Sequence, residues 1–218
     1  MLLGIYCAGG LGREVLDLAR IINEKEKSWD KIVFIDDVTQ KNMVNNVDIF
    51  SFAKFKTAFS PDSANIVIAN GEPKARQTLF DKVISNGYTL QTLIHPNAFI
   101  GSETEICDGV IIQHGCHVSC SATINTNAII QSLTYIGHDS LIGKDSVLSA
   151  HTAISGNCII GERTFLGINV TVREKVSIGN DVIIGMNSAV VYDVPNNVVA
   201  YGNPARIVRD NKGGRVFT

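Results

Sequence analysis

The chain has 218 residues, 45% of them apolar, and carries a net charge of −2 at neutral pH. That is enough for one large domain or two small ones with a real core. The near-neutral balance lacks the basic field that nucleic-acid and membrane-surface proteins use, so a small-molecule ligand is expected, with no nucleic acid and no membrane insertion.

The opening MLLGIYCAGG lacks the basic start and long apolar run of a signal peptide, and reads as a β-strand ending in a glycine turn. GREVLDLARIINEK then has helical spacing. KIVFID reads as a second strand, NIVIAN as a third, EPKARQTLFDKVISN as another helix and TLQTLIH as a strand leading onward. This alternation predicts a small α/β, Rossmann-like domain over residues 1–93. No run has the length of a membrane span.

From Ile94 the pattern changes. An aliphatic residue falls at every sixth position through Val190, seventeen times without an insertion. Four positions after each comes a small or β-branched residue, such as Cys116, Ala122, Thr134 or Ser146, which faces the same side of a strand as the next aliphatic. So short a period predicts an all-β parallel β-helix of hexapeptide repeats over 94–218. Gly101, Gly137, Gly143, Gly161, Gly167, Gly179 and Gly185 directly follow aliphatic residues, where a corner with positive φ is expected. No proline interrupts the chain between Pro96 and Pro195.

CAGGLGREV, between a strand and a helix, reads equally as a phosphate cradle and as a tight structural turn. Cys7 stands where a full G-x-G-x-x-G would have its first glycine. Asp36 and Asp37 end the second strand, where a carboxylate commonly holds a ribose or base edge, and half a Rossmann unit suits a mononucleotide joined to a sugar. The five cysteines, Cys7, Cys107, Cys116, Cys120 and Cys158, form no C-x-x-C pair and read as reduced thiols packed in an interior, which predicts a cytoplasmic protein. Hexapeptide carbonic anhydrases hold zinc with a pair of ligands five residues apart. The histidines here, His95, His114, His117, His138 and His151, lack that spacing, so no metal is expected and a zinc lyase is the minority alternative. His138, just past a corner, is expected to point outward beside Asp139. It reads as a general base or as a solvated surface histidine, and residue chemistry alone favours the second.

AGGLGREVLDLA, FIDD, the hexapeptide run, IGHDSLIG, SGNCIIGERTFLGINVTV and VVAYGNPARIV together resemble the sugar O-acyltransferase family of hexapeptide-repeat enzymes, over nearly the whole chain. That family includes sialic acid O-acetyltransferases and nucleotide-amino-sugar N-acetyltransferases. The resemblance implies left-handed β-helices assembled as a homotrimer, acetyl-CoA in the groove between neighbouring helices, and an N-terminal domain that holds a nucleotide sugar. It implies His138 as the base, Asp139 as the partner that raises its basicity, and an acceptor site of Gly9, Gly10, Leu11, Asp36, Asp37 and Asn70. The acetyl-CoA channel would be lined around Ile168, Gly185 and Met186, with a backbone N–H there for the oxyanion. The implied reaction is acetylation of an amino group of a nucleotide-linked sugar in glycan or polysaccharide biosynthesis, with O-acetylation of a sialic acid or similar sugar as the alternative. This chain departs from relatives at Leu11 and Val147, where histidines are expected, and at Gln131 and Gly137 near the base. Arg206 and Arg209 are candidates for the CoA phosphates, while Lys212 and Arg215 read as a solvated tail.

Overall fold

The computed structural model describes residues 1–217; residue 218, the last of the predicted second domain, lies outside them. The first strand, β1 (Leu2–Tyr6), is buried along its whole length. Helix α1 (Gly10–Glu26) buries Val15, Leu16, Leu18, Ala19 and Ile22 on one face and ends at Lys27 in the left-handed conformation. β2 (Lys31–Ile35) follows. Then comes a segment in which the sequence suggested no element: a hairpin of β3 (Met43–Val44) and β4 (Val47–Phe50), and α2 (Phe52–Ala58), capped by Ser51. β5 (Ala64–Ile68) and α3 (Pro73–Ser85), with proline in its first turn, lead to β6 (Thr89–Leu90). The six strands form one sheet in the order β3-β4-β2-β1-β5-β6, parallel except for the hairpin.

Next come seventeen two-residue strands, β7 (Leu93–Ile94) to β23 (Ala189–Val190), each ending on a residue of the aliphatic column. The expected single strand over TLQTLIH is therefore two short ones, β6 and β7, in different sheets. Every third strand stacks in register on the one before, as His117 on Phe99 and Tyr135 on His117, so one coil takes eighteen residues. Three parallel sheets result, the faces of a left-handed β-helix. We call them the first face (β7, β10, β13, β16, β19, β22), the second (β8 to β23) and the third (β9 to β21). β24 (Val198–Gly202) continues the first face, and β25 (Ala205–Asp210) pairs with it antiparallel.

The interior is filled by both columns read from the sequence, including Val110, Ile112, Ala122, Ile124, Val182 and Ile184. Buried hydroxyls among them, such as Ser146 and Thr164, donate to carbonyls of neighbouring coils. The corners correct one expectation. Positive φ falls three residues after the aliphatic, at Asn127 (60°), Asp139 (57°), Asp145 (60°) and Asn157 (58°), and at none of the seven glycines that follow it directly. Those glycines answer to stacking: a Cβ on Gly143 would lie 2.5 Å from the backbone of Gly161 in the next coil. The cysteines are also less uniform than expected. Cys116 and Cys158 are buried, Cys7 and Cys107 half-buried, and Cys120 exposed.

The N-terminal unit packs on the first face. Leu93, Ile111, Ile129, Val147, Phe165, Ile183 and Val199, which point out of the β-helix there, join a core with Leu3, Ile5, Val15, Leu18 and Ile22. Each such side chain removed from water is worth about 2 kcal/mol, so the ladder holds the two units together strongly.

Candidate active site

His138 lies on the corner between β14 (Tyr135–Ile136) and β15 (Leu141–Ile142). Asp139, held at φ 57°, brings its carboxylate Oδ2 to 2.7 Å from His138 Nδ1. This fixes the ring orientation and the tautomer, with the proton on Nδ1 toward the carboxylate and the Nε2 lone pair free. The corner is held from both sides. Asp139 N–H donates to the Cys120 carbonyl above at 3.2 Å, and Asn157 N–H to the His138 carbonyl at 2.8 Å. The imidazole lies over Gly156 of the next coil, where a Cβ would stand 2.6 Å from Cε1 and from Nε2. Both side chains of the pair are about half exposed.

Ile168 and Met186 occupy equivalent places, one coil apart, on the corner between the first and second faces. They are 53% and 68% exposed. Gly185 N–H donates to the Ala200 carbonyl at 2.9 Å, whereas Ile168 and Met186 N–H have no acceptor among the described residues. That corner and the one bearing His138 are opposite edges of the second face. One chain therefore does not bring these two groups together.

At the other site, Gly9 and Gly10 open α1, and no side chain caps the helix. The first helical N–H bonded within the turn is that of Arg13, to Gly9 O at 3.1 Å, which leaves earlier N–H groups free for an anion. The two readings of the glycine turn now separate. A Cβ on Gly12 would collide with the Cys7 carbonyl, a structural need, but a Cβ on Gly9 or Gly10 meets nothing within 4 Å. Gly9, at φ −73°, does not need glycine for its backbone either. Two adjoining cavities meet at Gly9, Asp36 and Val38: one of about 470 Å³ reaching Tyr6, Asp37, Asn70 and Leu79, the other of about 420 Å³ with Arg13 and Lys41. These two cations, which the sequence reading passed over, suit a phosphate; Arg13 follows the glycine turn directly and was recognisable from that.

Asp36 and Asp37 line the larger cavity but hold their own chain with most of their lone pairs. Asp36 accepts from the N–H groups of Ala8, Val38 and Thr39, each at 2.9 Å. Burial pushes its carboxyl up, and those N–H groups outweigh it, so it titrates below the ordinary carboxylate range. Asp37 accepts from Phe52 N–H (2.8 Å), Tyr6 OH (2.6 Å) and Lys82 Nζ (2.7 Å). There too burial is outweighed, by Lys82 and Tyr6 first, and the carboxyl is lowered. Burial pushes the Cys7 thiol up to about 11, so it is uncharged at neutral pH. Asn70 Oδ1 accepts from Glu72 N–H at 2.9 Å.

Leu11 and Val147, where the resemblance implied histidines, both belong to the apolar contact between the two units, Val147 at 1% exposure and Leu11 half-buried. Gln131 accepts from Ala150 N–H at 3.2 Å. His114 and His117 point to different places: His114 lies edge-on to His95, and His117 stacks between Phe99 and Tyr135. Among the described residues no three His, Cys, Asp or Glu side chains gather as a metal site, and no helix is long and apolar enough to cross a membrane. Arg206 and Arg209 lie exposed on β25. The segment beyond, expected as a solvated tail, folds back on the N-terminal unit through Val216 and Phe217, although Lys212 and Arg215 are exposed.

A model of the PglD N-terminal domain matches residues 3–83, a hexapeptide repeat of succinyl-transferases matches 94–125, and a bacterial transferase hexapeptide model matches 157–191. The chain thus has a PglD-type N-terminal domain followed by hexapeptide repeats of the kind found in bacterial transferases. It is homologous to the GDP-perosamine N-acetyltransferase of Escherichia coli O157:H7, 33% identical over 128 residues, which are 58% of this chain and 54% of that protein. The match thus spans about half the length of that relative. The acetyltransferase domain of PglB from Neisseria gonorrhoeae superposes with a TM-score of 0.89 at 27% identity, over 95% of this chain and 99% of its own. A histidine-to-asparagine variant of perosamine N-acetyltransferase from Caulobacter crescentus, in complex with CoA and GDP-perosamine, gives 0.89 at 26% identity, over 96% of this chain and 98% of its own.

Proposed function

We propose that this protein is an acetyl-CoA-dependent N-acetyltransferase that acetylates an amino group of a nucleotide-linked sugar in glycan or polysaccharide biosynthesis, in the cytoplasm. The observation that carries the reading is the His138–Asp139 pair at 2.7 Å on an exposed corner of a fold shared, almost end to end, with acetyltransferases crystallised with CoA and GDP-perosamine. The nucleotide sugar lies along the glycine turn, its phosphates at the start of α1 with Arg13 and Lys41, its nucleoside in the cavity of Asp36, Asp37 and Asn70. Gly9 and Gly10 are bare because the ligand comes close there.

His138 Nε2 takes the proton from the acceptor nitrogen as that nitrogen attacks the thioester carbonyl. A C–N bond forms, the C–S bond breaks, and the proton passes to the departing thiolate of CoA. The oxyanion formed on the way is met by the free N–H of Ile168 or Met186, where Gly185 supplies close approach only. Because His138 and these groups sit on opposite edges of one face, the site is completed by a neighbouring copy. A homotrimer, with acetyl-CoA between adjacent β-helices, is the closed arrangement that does this three times.

The test is thiol release from acetyl-CoA with a panel of amino-sugar nucleotides that includes GDP-perosamine, alongside sialic acid. Turnover of an amino-sugar nucleotide is expected, and His138→Ala should lower kcat at least ~100-fold. Turnover of sialic acid alone would move the reaction to oxygen. An intact rate for the variant would remove His138 from the mechanism.

A further inference from the structure

The last described residues form a clamp. Glu72, at the start of α3, accepts from Val216 N–H at 2.6 Å through one carboxylate oxygen and from Phe217 N–H at 3.2 Å through the other. Asn211 secures the approach: its Nδ2 donates to the Asp181 carbonyl at 2.8 Å and its Oδ1 accepts from Gly214 N–H at 3.1 Å. Val216 packs into the apolar contact between the two units, as does Leu11. Phe217 does not sink in. Its ring meets Phe165 edge-on at 5.6 Å, yet the residue stays 60% exposed. The position is specific: a Cβ on Gly71 would be 3.5 Å from the Phe217 ring and 3.8 Å from the Leu11 side chain. The ring therefore stands beside Gly71, the residue that follows Asn70 of the larger cavity, and near Leu11, which follows Gly10 of the glycine turn.

An aromatic ring held open to solvent by a carboxylate clamp, against the residues that adjoin Asn70 and Gly10, is placed to meet a ligand that reaches past them. Resting on the reading above, we infer that Phe217 is a specificity-determining residue. Its face stacks on the C–H face of the acceptor sugar and closes the side of the site between the glycine turn and the coils. The sugar is the occupant, and not the cofactor, because the ring touches the surroundings of Gly71 and Leu11, whereas Ile168 and Met186 lie along the corner of the β-helix. Leu11 contributes to the same apolar wall.

The experiment compares wild type, Phe217→Ala and Glu72→Ala in the thiol-release assay, with KM measured for each substrate and folding checked by thermal melting. Phe217 is largely exposed, so its replacement should leave the melting temperature within a degree or two. The expected result is a rise of about tenfold in KM for GDP-perosamine or whichever amino-sugar nucleotide is turned over, with KM for acetyl-CoA unchanged. Glu72→Ala should show the same split, and the double variant should be no worse than either single one. An unchanged acceptor KM overturns the inference while the acetyltransferase reading stands. So does a rise confined to acetyl-CoA, which would place the ring in the cofactor groove. A wild-type protein that releases no thiol with any amino-sugar nucleotide and binds none of them in calorimetry sinks both.

Discussion

A methyl group added at Gly156 would land 2.6 Å from two atoms of the His138 ring, closer than any real contact, and the ring, being half exposed, would swing away. Gly156→Ala is therefore expected to cost little stability but to lower kcat ~10- to 100-fold with both KM values nearly unchanged, since a misplaced base loses proton transfer and not binding. The check is a non-additive pair: adding the change to His138→Ala should lower the rate no further. A further drop in that background would mean that Gly156 acts on something other than the imidazole. The outward His138 and its aspartate were legible in the sequence because a glycine and an aliphatic of known phase precede them. Gly156 was not, because its relation to His138 appears only once one coil is known to take eighteen residues. Cys7 is similar. It adopts φ 78°, the conformation a glycine of the full motif would take, so a missing glycine in the pattern did not mean a missing turn.

Glycine meets two different needs in the elements of this chain, and the sequence alone does not separate them. Gly143 follows an aliphatic residue, as Gly9 follows an alanine, yet a Cβ on Gly143 would strike the backbone of the coil below, while one on Gly9 would enter open space. Gly143→Ala should destabilise the β-helix by about 1–3 kcal/mol, since the coils must part to admit the methyl group, and leave the relative KM values alone. Gly9→Ala should do the reverse: the same midpoint in urea unfolding, with a several-fold rise in KM for the nucleotide sugar. Equal loss of stability in the two variants would show that the glycine turn is a structural need after all. The strands themselves were readable from the six-residue column, and so were the two long helices from their spacing. The hairpin of β3 and β4 and the short α2 were not, since two- to seven-residue elements carry too few positions for a period to emerge.

At the scale of the molecule the joint between the two units was partly written in the sequence. The residue before the aliphatic is large and apolar at every position of the first face, Leu93, Ile111, Ile129, Val147, Phe165 and Ile183, whereas the other two faces have Glu105, His117, Thr123, Thr171 and Ser177 among theirs, which marks the first face as the one covered by the N-terminal unit. What no period reveals is Arg76, fully buried on α3 and reaching across the joint. Its guanidinium donates to the carbonyls of Ile68 (2.6 Å) and Asn70 (3.0 Å) on one side, and to the Asn127 carbonyl (2.9 Å, from Nε) and Oδ1 (2.7 Å) on a corner of the β-helix. Asn127 in turn donates to Asp145 Oδ1 at 2.6 Å, one coil further. Desolvation pulls Arg76 down to about 9, so it remains charged at neutral pH, and burial raises Asp145 against the pull of Asn127, Lys144 and Arg76. Because the folded chain holds that proton to higher pH than the unfolded chain does, Asp145 makes stability decline as pH rises from the ordinary carboxylate range through its raised value. Arg76→Met strands four acceptors and removes one of the charges that oppose the burial of Asp145. It should cost about 3–5 kcal/mol at neutral pH, and the decline should become steeper and extend to higher pH, because the carboxyl is then raised further. Urea unfolding of both proteins from pH 4 to pH 8 measures this directly. If the variant loses less than about 0.5 kcal/mol, or the gap between the two proteins does not widen as pH rises over that range, the two units are held by the apolar ladder alone and Asn70 does not owe its place at the cavity to Arg76.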